Sequence, residues 1–282
     1  MVKSQEGRHA LREQAARRYS MPLFLAILAS TCTFAEHGTV APLVSIVGTR
    51  FEIMQTDGTA PSQDALIGAV LSVDDDAGGR VEMRIDAVVP DPQDPAGEIT
   101  LYTLSIHGAD GGWHNFCTPG PDGLALGFPV SGTWTSDGVH EHVPGAFSLT
   151  CTSGAIGKCV RMGYHYWRTE ENGAPMWELH QACTRMLRAD YCGDGRSHTR
   201  DGTVVNVYDR FGMQRADQAP ARLEATWDAN GARCVRRARV PEVATLEEIT
   251  RACPERLATR SGQACAAEAP FADPEALIAN DS

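Results

Sequence analysis

Short hydrophobic stretches separated by turns dominate the chain from about residue 48 to residue 150. Within residues 81–86, apolar and polar side chains alternate, as in a strand with one face in solvent. Glycine-rich turns, such as residues 77–79 and 110–112, separate the stretches. Strands are predicted at residues 49–54, 66–73, 81–89, 99–107, 125–130 and 147–152. No helix-length period interrupts them, which favours an antiparallel β sandwich or barrel-like module.

The hydrophobic period lengthens in the second half of the chain. Met176, Leu179 and Cys183 recur at helical spacing, which predicts an amphipathic helix from residue 175 to about residue 188. Thr245 followed by Glu248 forms a capping-box pattern, which predicts the start of a second helix. Further strands are predicted at residues 203–209, 223–227 and 232–240. The mixture of helices and strands predicts a second module of α+β type.

The N-terminal segment has the pattern of a secretory signal peptide. Residues 21–29 read MPLFLAILA and follow Arg12, Arg17 and Arg18. A basic segment followed by roughly 7–15 apolar residues is typical of such a signal, and the run is too short to span a bilayer. Met21 is an alternative translation start, which would remove the basic segment.

Two processing sites compete in this leader. Cleavage after Ala35 would release a freely secreted chain, because small residues occupy the positions that signal peptidase reads. Residues 28–32 resemble a bacterial lipobox, in which Cys32 would carry the lipid, although Thr31 departs from the usual small residue. The predicted localisation is therefore export, to the periplasm, to the outer membrane as a lipoprotein, or to the extracellular space. Membrane attachment is expected only through a lipid on Cys32.

The combined patterns divide the chain into four segments. We predict a leader over residues 1–35, a β-rich module over 36–150, a disulfide-rich module over 151–265 and a flexible tail over 266–282. The predicted fold class is α+β and β-rich, with an antiparallel sandwich or barrel-like module followed by a disulfide-stapled α+β module.

The cysteines support an oxidising compartment independently. Apart from Cys32, the chain contains eight, at Cys117, Cys151, Cys159, Cys183, Cys192, Cys234, Cys253 and Cys265. An even number suits four disulfides, and the pairing stays open because eight cysteines allow 105 combinations. The alternative is a thiolate zinc site, which favours closely spaced cysteine pairs that are missing here.

The charge of the chain argues against nucleic acid as a partner. Asp and Glu number 36 and Lys and Arg number 25, for a formal net charge of −11. Phosphate groups would be repelled by most of the surface, and no basic stripe with interleaved aromatic residues is present. An unknown extracellular or envelope partner is expected instead.

A continuous run in the second half carries a family resemblance. Residues 180–195 read HQACTRMLRADYCGDG, and residues 189–192 form the tetrapeptide ADYC. This run, together with residues 154–160, 224–227 and 231–234, resembles the ADYC domain family over about residues 151–253. The resemblance implies an exported bacterial protein, often lipoprotein-like, and implies no activity or catalytic residues.

Two interpretations of the ADYC run are open. In the structural one, Asp190 and Asp194 cap backbone N–H groups in a tight glycine-containing turn that disulfides hold. In the functional one, His180 or His198 converges with these aspartates as catalytic groups, or Asp190, Asp194 and Asp201 bind a cation. No cofactor is predicted; Ca²⁺ or Zn²⁺ is the alternative, since carboxylates in a glycine-rich loop suit a hard cation.

Two further groups of residues offer binding chemistry. His140 and His142 would share one face of a strand and bind a metal, but Gly138 and Pro144 favour a solvent-exposed loop. Tyr164, Tyr166 and Trp167 form either a ligand-binding face or part of the core, and burial is the more common role of aromatic residues.

The absence of nucleophile and nucleotide motifs decides between function classes. The sequence contains no GxSxG, SxxK, GxGxxG or P-loop pattern. We therefore expect an exported or cell-envelope protein that acts as a non-enzymatic binding or structural module. The alternative is a secreted metal-assisted hydrolase with its site near the ADYCGDG segment, among His180, Asp190, Asp194 and His198.

Overall fold

Antiparallel strands form most of the regular structure of the chain. The structure is a computed structural model, and it describes residues 25–27, 43–55, 58–74, 79–171, 173–216, 222–267 and 269–282. The predicted signal peptide, its two predicted processing sites and Cys32 lie outside these residues, except for the strand at Leu25–Ile27. Among the helices of the described ranges, none is both long and apolar enough to cross a bilayer.

The first half of the chain is built around a seven-stranded antiparallel sheet. Its strand order is β1-β11-β8-β6-β5-β4, and β7 pairs with β6 outside this path. The strands are β1 (Leu25–Ile27), β4 (Val70–Asp74), β5 (Arg80–Pro90), β6 (Thr100–His107), β7 (Trp113–Asn115), β8 (Gly127–Ser131) and β11 (Phe147–Cys151). Two hairpins accompany it, formed by β2 (Leu43–Val47) with β3 (Arg50–Met54) and by β9 (Thr133–Trp134) with β10 (His140–Glu141).

Alternation along β5 shows why this sheet forms. Met83 and Ile85 are fully buried, whereas Glu82 is exposed and Arg84, between the two buried residues, is half-buried, as the predicted one-faced strand requires. The predicted strand over residues 66–73 is corrected at its start, where Gln63–Leu66 forms a 3₁₀ turn and β4 begins only at Val70. Gly68 has a φ of +89°, a left-handed conformation that a regular strand excludes and that glycine adopts readily.

The second half combines helices with a four-stranded antiparallel sheet of order β14-β17-β15-β16. The helices are α1 (Ala155–Arg161), α2 (Met176–Arg188), α3 (Leu246–Ala252) and α4 (Pro254–Leu257). The strands are β12 (Glu170–Glu171) and β13 (Ala174–Pro175), which pair with each other, then β14 (Asn206–Asp209), β15 (Leu223–Asp228), β16 (Gly231–Val235) and β17 (Ile278–Asp281). The predicted capping box is confirmed, because Thr245 and Glu248 exchange side-chain and backbone hydrogen bonds at the start of α3.

Helix α2 is buried on two sides. Its predicted apolar stripe, which includes Leu179 and Cys183, packs in the core of the second half. On another side, His180 contacts the aromatic residues of the first half, and Gln181 accepts a hydrogen bond from the backbone N–H of His140. The helix therefore joins the two halves, which explains why it carries buried polar residues.

The C-terminal residues differ from the prediction. A flexible tail over residues 266–282 is wrong for β17, which lies between β14 and β15 in the sheet. Ile278 and Asn280 are fully buried there. Asn280 accepts a hydrogen bond from Trp227 and donates one to Glu224, so this buried polar side chain helps to hold the strand in the sheet.

Four disulfides join all eight cysteines from Cys117 onward. The pairs are Cys117–Cys151, Cys159–Cys183, Cys192–Cys253 and Cys234–Cys265. The prediction of a β-rich α+β chain with antiparallel sheets and four disulfides is therefore confirmed, and the thiolate zinc alternative is not needed to account for these cysteines.

Candidate binding groove and its aromatic support

Residues from three elements meet at one end of α2. Trp134 of β9 and His140 of β10 lie directly opposite each other in the hairpin, so their side chains share a face. Trp177 and His180 stand three apart on α2 and also share a face. The loop after α1 adds Tyr166, whose hydroxyl donates to the carbonyl oxygen of Gly48 and accepts from the N–H of Ser131.

His140 is enclosed between two indole rings. Its ring lies 3.7 Å from that of Trp134 and 3.9 Å from that of Trp177, with interplanar angles of 10° and 14°. His180 approaches edge-on, with its ring centroid 6.0 Å from that of His140. The sequence favoured a solvent-exposed loop for His140 and His142; this is wrong for His140, which is 3% exposed, and only His142 is exposed.

Both buried imidazoles are neutral at physiological pH. Burial lowers the pKa of His140 to about 3 and the pKa of His180 to about 4. The Nε2–H of His140 donates to the carbonyl oxygen of Ser131 at 2.8 Å, and that of His180 donates to the carbonyl oxygen of Ile156 at 3.2 Å. Within the described residues, the Nδ1 atom of each ring has no hydrogen-bond partner.

An open groove lies on the outer side of this stack, and we call it the aromatic groove. It has a volume of about 380 Å³ and is lined by residues 166–170 together with Pro175, Trp177 and Glu178. Trp167 and Trp177 are half-buried, so each contributes surface to the groove while packing against the protein. Trp167 stacks on His165 with ring centroids 4.7 Å apart and an interplanar angle of 9°.

Charged residues surround the aromatic groove. Arg168 is held by Glu98, with distances of 2.6 and 2.7 Å, and by Glu171 at 2.5 Å. Glu170 and Glu178 are exposed, and neither has a side-chain hydrogen bond or ion pair among the described residues. Burial lowers the pKa of His165, and Arg168 lowers it further. The groove thus combines apolar ring surface with two carboxylates that have no charged partner among the described residues.

Residues 189–195 form a turn at the other end of α2, and we call it the ADYC turn. Its side chains fix the conformation of its own backbone. Ala189 ends the helix with a φ of 50°. The carboxylate of Asp190 accepts hydrogen bonds from the N–H groups of Gly193, Asp194 and Gly195, at 2.9 to 3.1 Å. A Cβ on Gly193 would lie 1.8 Å from the carbonyl oxygen of Asn230, so only glycine fits.

Buried ionic partners complete this turn. Arg185 binds Asp190 at 2.5 Å, and both side chains are almost fully buried. Burial raises the pKa of the Asp190 carboxyl, and the Arg185 guanidinium opposes that rise. Tyr191 donates a hydrogen bond to Glu224 and stacks on Trp227, while Cys192 is bonded to Cys253. The structural interpretation of ADYCGDG is therefore supported residue by residue.

The structure separates His180 from the other catalytic candidates, Asp190, Asp194 and His198, which lie at the ADYC turn. His180 lies in the aromatic stack, whereas His198 lies at the ADYC turn, where its Nδ1 is 3.1 Å from the carbonyl oxygen of Ala189. Asp194 caps the N–H of Arg196, and Asp194 and Asp201 are exposed. Among the described residues, no three His, Cys, Asp or Glu side chains are close enough to hold a metal ion.

Sequence reasoning missed the two residues that enclose His140. Trp134 and Trp177 belong to no motif, so the sequence gives no direct indication of a role for them. One signal was available, because Trp177 and His180 lie off the apolar stripe of α2, where bulky ring systems point to a second packing surface. Of the three aromatic residues that the sequence offers as a ligand-binding face or as core, Tyr166 and Trp167 line the groove, and Tyr164 is buried with its hydroxyl donating to Asp209.

Comparison with known proteins gives one match. A family model described as the ADYC domain matches residues 63–241. No curated protein and no solved structure matches the chain. The matched region begins well before residue 151, so it includes most of the seven-stranded sheet as well as α2 and the ADYC turn.

Proposed function

This chain belongs to the ADYC domain family, and we propose that it is an exported, non-enzymatic binding module whose ligand-binding surface is the aromatic groove. The observation that carries the proposal is the pair Trp167 and Trp177, which line an open groove and are each stacked on an imidazole. Aromatic residues held in fixed positions bind ligands at a low cost in conformational entropy.

The compartment supports the same proposal. Four disulfides indicate an oxidising environment, extracellular or periplasmic. We add to it the signal peptide over residues 1–35, with release after Ala35 or lipid attachment at Cys32 as the two forms of export. The β-rich module over residues 36–150 is proposed to be a sandwich or barrel-like package, which its antiparallel order and common buried core favour.

Binding at the groove is tested by titrating the full chain with a panel of soluble probes while tryptophan fluorescence is recorded. The panel contains a neutral oligosaccharide, a basic peptide and an acidic peptide. We expect at least one probe to bind, and Trp167→Leu to weaken that binding. Trp113→Leu is the matched control, since Trp113 is a half-buried tryptophan outside the groove. Equal affinity of both variants and the wild type for every probe would show that the groove is not the site.

Export is tested by the intact mass of the protein recovered from its own cell envelope. A chain that begins at Cys32 with an added lipid mass identifies a lipoprotein, and one that begins at Glu36 identifies a freely secreted protein. Recovery of the intact precursor from the cytoplasm alone would overturn export.

A further inference from the structure

We propose that the aromatic groove takes a positively charged side chain, lysine or arginine, from a basic peptide segment of the partner. This inference rests on the proposed function, because it assigns the chemistry of the ligand to the same groove. Two independent features of the groove support it, namely the carboxylates at its rim, unpaired among the described residues, and the two indole rings that are open to a cation from outside.

The rim of the groove carries two carboxylates that take part in none of the ion pairs of the described residues. Arg168 is the one basic side chain among the described residues that line the groove, and Glu98 and Glu171 already neutralise it. Glu170 and Glu178 remain exposed and, within the described part of the chain, without a charged partner. A cation that enters the groove would meet these two carboxylates without displacing an existing ion pair.

Among the described residues, no cation lies over either indole ring of the groove. Trp177 stacks on His140 and Trp167 stacks on His165, and burial lowers the pKa of both imidazoles, which favours their neutral forms. A neutral imidazole leaves the negative face of the indole quadrupole available to an external cation. Trp113 gives a comparison within the chain, because the guanidinium of Arg84 lies 4.5 Å from the centre of its ring. None of the described groove residues places a cation over Trp167 or Trp177 in this way.

The size of the groove and the charge of the molecule favour a peptide side chain as the ligand. The groove has a volume of about 380 Å³, which is at the small end of the range for ligand pockets, and it is open to solvent. It therefore suits a single side chain on an extended peptide segment better than a large ligand that must be enclosed. The formal net charge of −11 attracts basic segments and repels acidic ones within about one Debye length of the surface.

The test uses the full disulfide-bonded chain and two synthetic peptides, Gly-Arg-Gly-Arg-Gly and its glutamine counterpart Gly-Gln-Gly-Gln-Gly. We expect only the arginine peptide to bind, with affinity falling as NaCl rises from about 50 to about 500 mM. Glu170→Gln and Glu178→Gln should each weaken binding up to about fivefold, as exposed ion pairs do. Glu242→Gln, at an exposed residue outside the groove, changes the net charge equally and should leave binding within twofold of the wild type.

The outcomes separate this inference from the proposed function. Equal weakening by Glu242→Gln and by the groove variants would show that only the overall charge acts, and would overturn the ligand assignment. Equal binding of both peptides, with loss in Trp167→Leu, would also overturn it while leaving the groove as the binding site. Binding of tetramethylammonium without binding of the arginine peptide would replace the peptide by a small organic cation. If no probe responds to Trp167→Leu, the proposed function itself is wrong.

Discussion

At the scale of single residues, His140 and His142 show how the environment sets the chemistry of a side chain. The two stand two positions apart, yet one is enclosed by Trp134 and Trp177 and the other is exposed. A buried imidazole is held in its neutral form, because charging it would cost desolvation free energy. The same type of residue is therefore a packing element at one position and a solvated group at the other.

The buried histidines make folding stability depend on pH. An unfolded histidine takes up a proton below a pH of about 6.5, whereas burial lowers the pKa of His140 in the folded chain to about 3. The unfolded chain then binds more protons, so the free energy of unfolding falls as the pH drops from about 6.5 towards 3. For one such histidine, the loss between pH 7 and pH 5 is about 2 kcal/mol.

Replacing this histidine should flatten the pH dependence. We expect His140→Phe to lose about 2 kcal/mol less than the wild type between pH 7 and pH 5, measured by urea unfolding at both values. His107→Phe removes an exposed histidine and should leave the loss unchanged. An unchanged loss in His140→Phe would mean that His140 titrates normally in the folded chain.

Asp190 and Asp194 should differ sharply in their importance for stability. Asp190→Asn leaves the guanidinium of Arg185 buried without its counter-charge, and breaking such a pair costs about 3–5 kcal/mol. Asp194→Asn changes an exposed residue that caps one N–H group and should cost less than about 1 kcal/mol. Urea unfolding of the two variants measures the difference, and equal destabilisation would contradict the structural role assigned to the ADYC turn.

At the scale of elements, the sequence predicts those helices and strands whose formation depends mainly on residues close together in the chain. The strand at β5, the helix α2 and the capping box of α3 follow from alternation, helical spacing and a four-residue motif. Helix α1 was not predicted, because its seven residues are too few for a helical period to show. The sequence predicts only half of the aromatic groove, since Trp167 belongs to the aromatic cluster at residues 164–167 but Trp177 joins it through tertiary packing.

The C-terminal strand was not predicted because its partners are distant in sequence. β17 pairs with β14 and β15, and its alanine- and asparagine-containing sequence has low strand propensity by itself. Burial in the middle of the sheet outweighs that propensity. A residue can therefore look like part of a tail and still hold the sheet together.

Removing this strand should be far more damaging than trimming a tail. Deletion of residues 278–282 would expose the paired edges of β14 and β15 and remove the fully buried Ile278, so we expect loss of cooperative unfolding. Ile278→Ala alone should cost about 2–5 kcal/mol in urea unfolding. Deletion of Ser282 alone is the control and should leave stability nearly unchanged. A deletion variant with the wild-type melting curve would restore the flexible-tail interpretation.

At the scale of the whole molecule, disulfides connect stability with compartment. Each bond stabilises the folded state by about 2–4 kcal/mol, mainly by restricting the unfolded chain. Cys192–Cys253 closes the longest of the four loops, with a sequence separation of 61, and ties the ADYC turn to the end of α3. Together the four are comparable with the entire stability of a typical domain, about 5–15 kcal/mol.

We therefore expect the reduced chain to be unfolded at 37 °C. The measurement is thermal unfolding followed by circular dichroism, with and without dithiothreitol, and mass spectrometry should show a gain of eight hydrogens on reduction of the disulfides. Iodoacetamide applied without reduction is the control, since it should label none of the eight paired cysteines and would label Cys32 only where that residue is retained and unmodified. A reduced chain that keeps a cooperative transition near the original melting temperature would show that its hydrophobic cores are enough to keep it folded. The argument for an oxidising compartment would then rest on the presence of the disulfides and not on a requirement for them in folding.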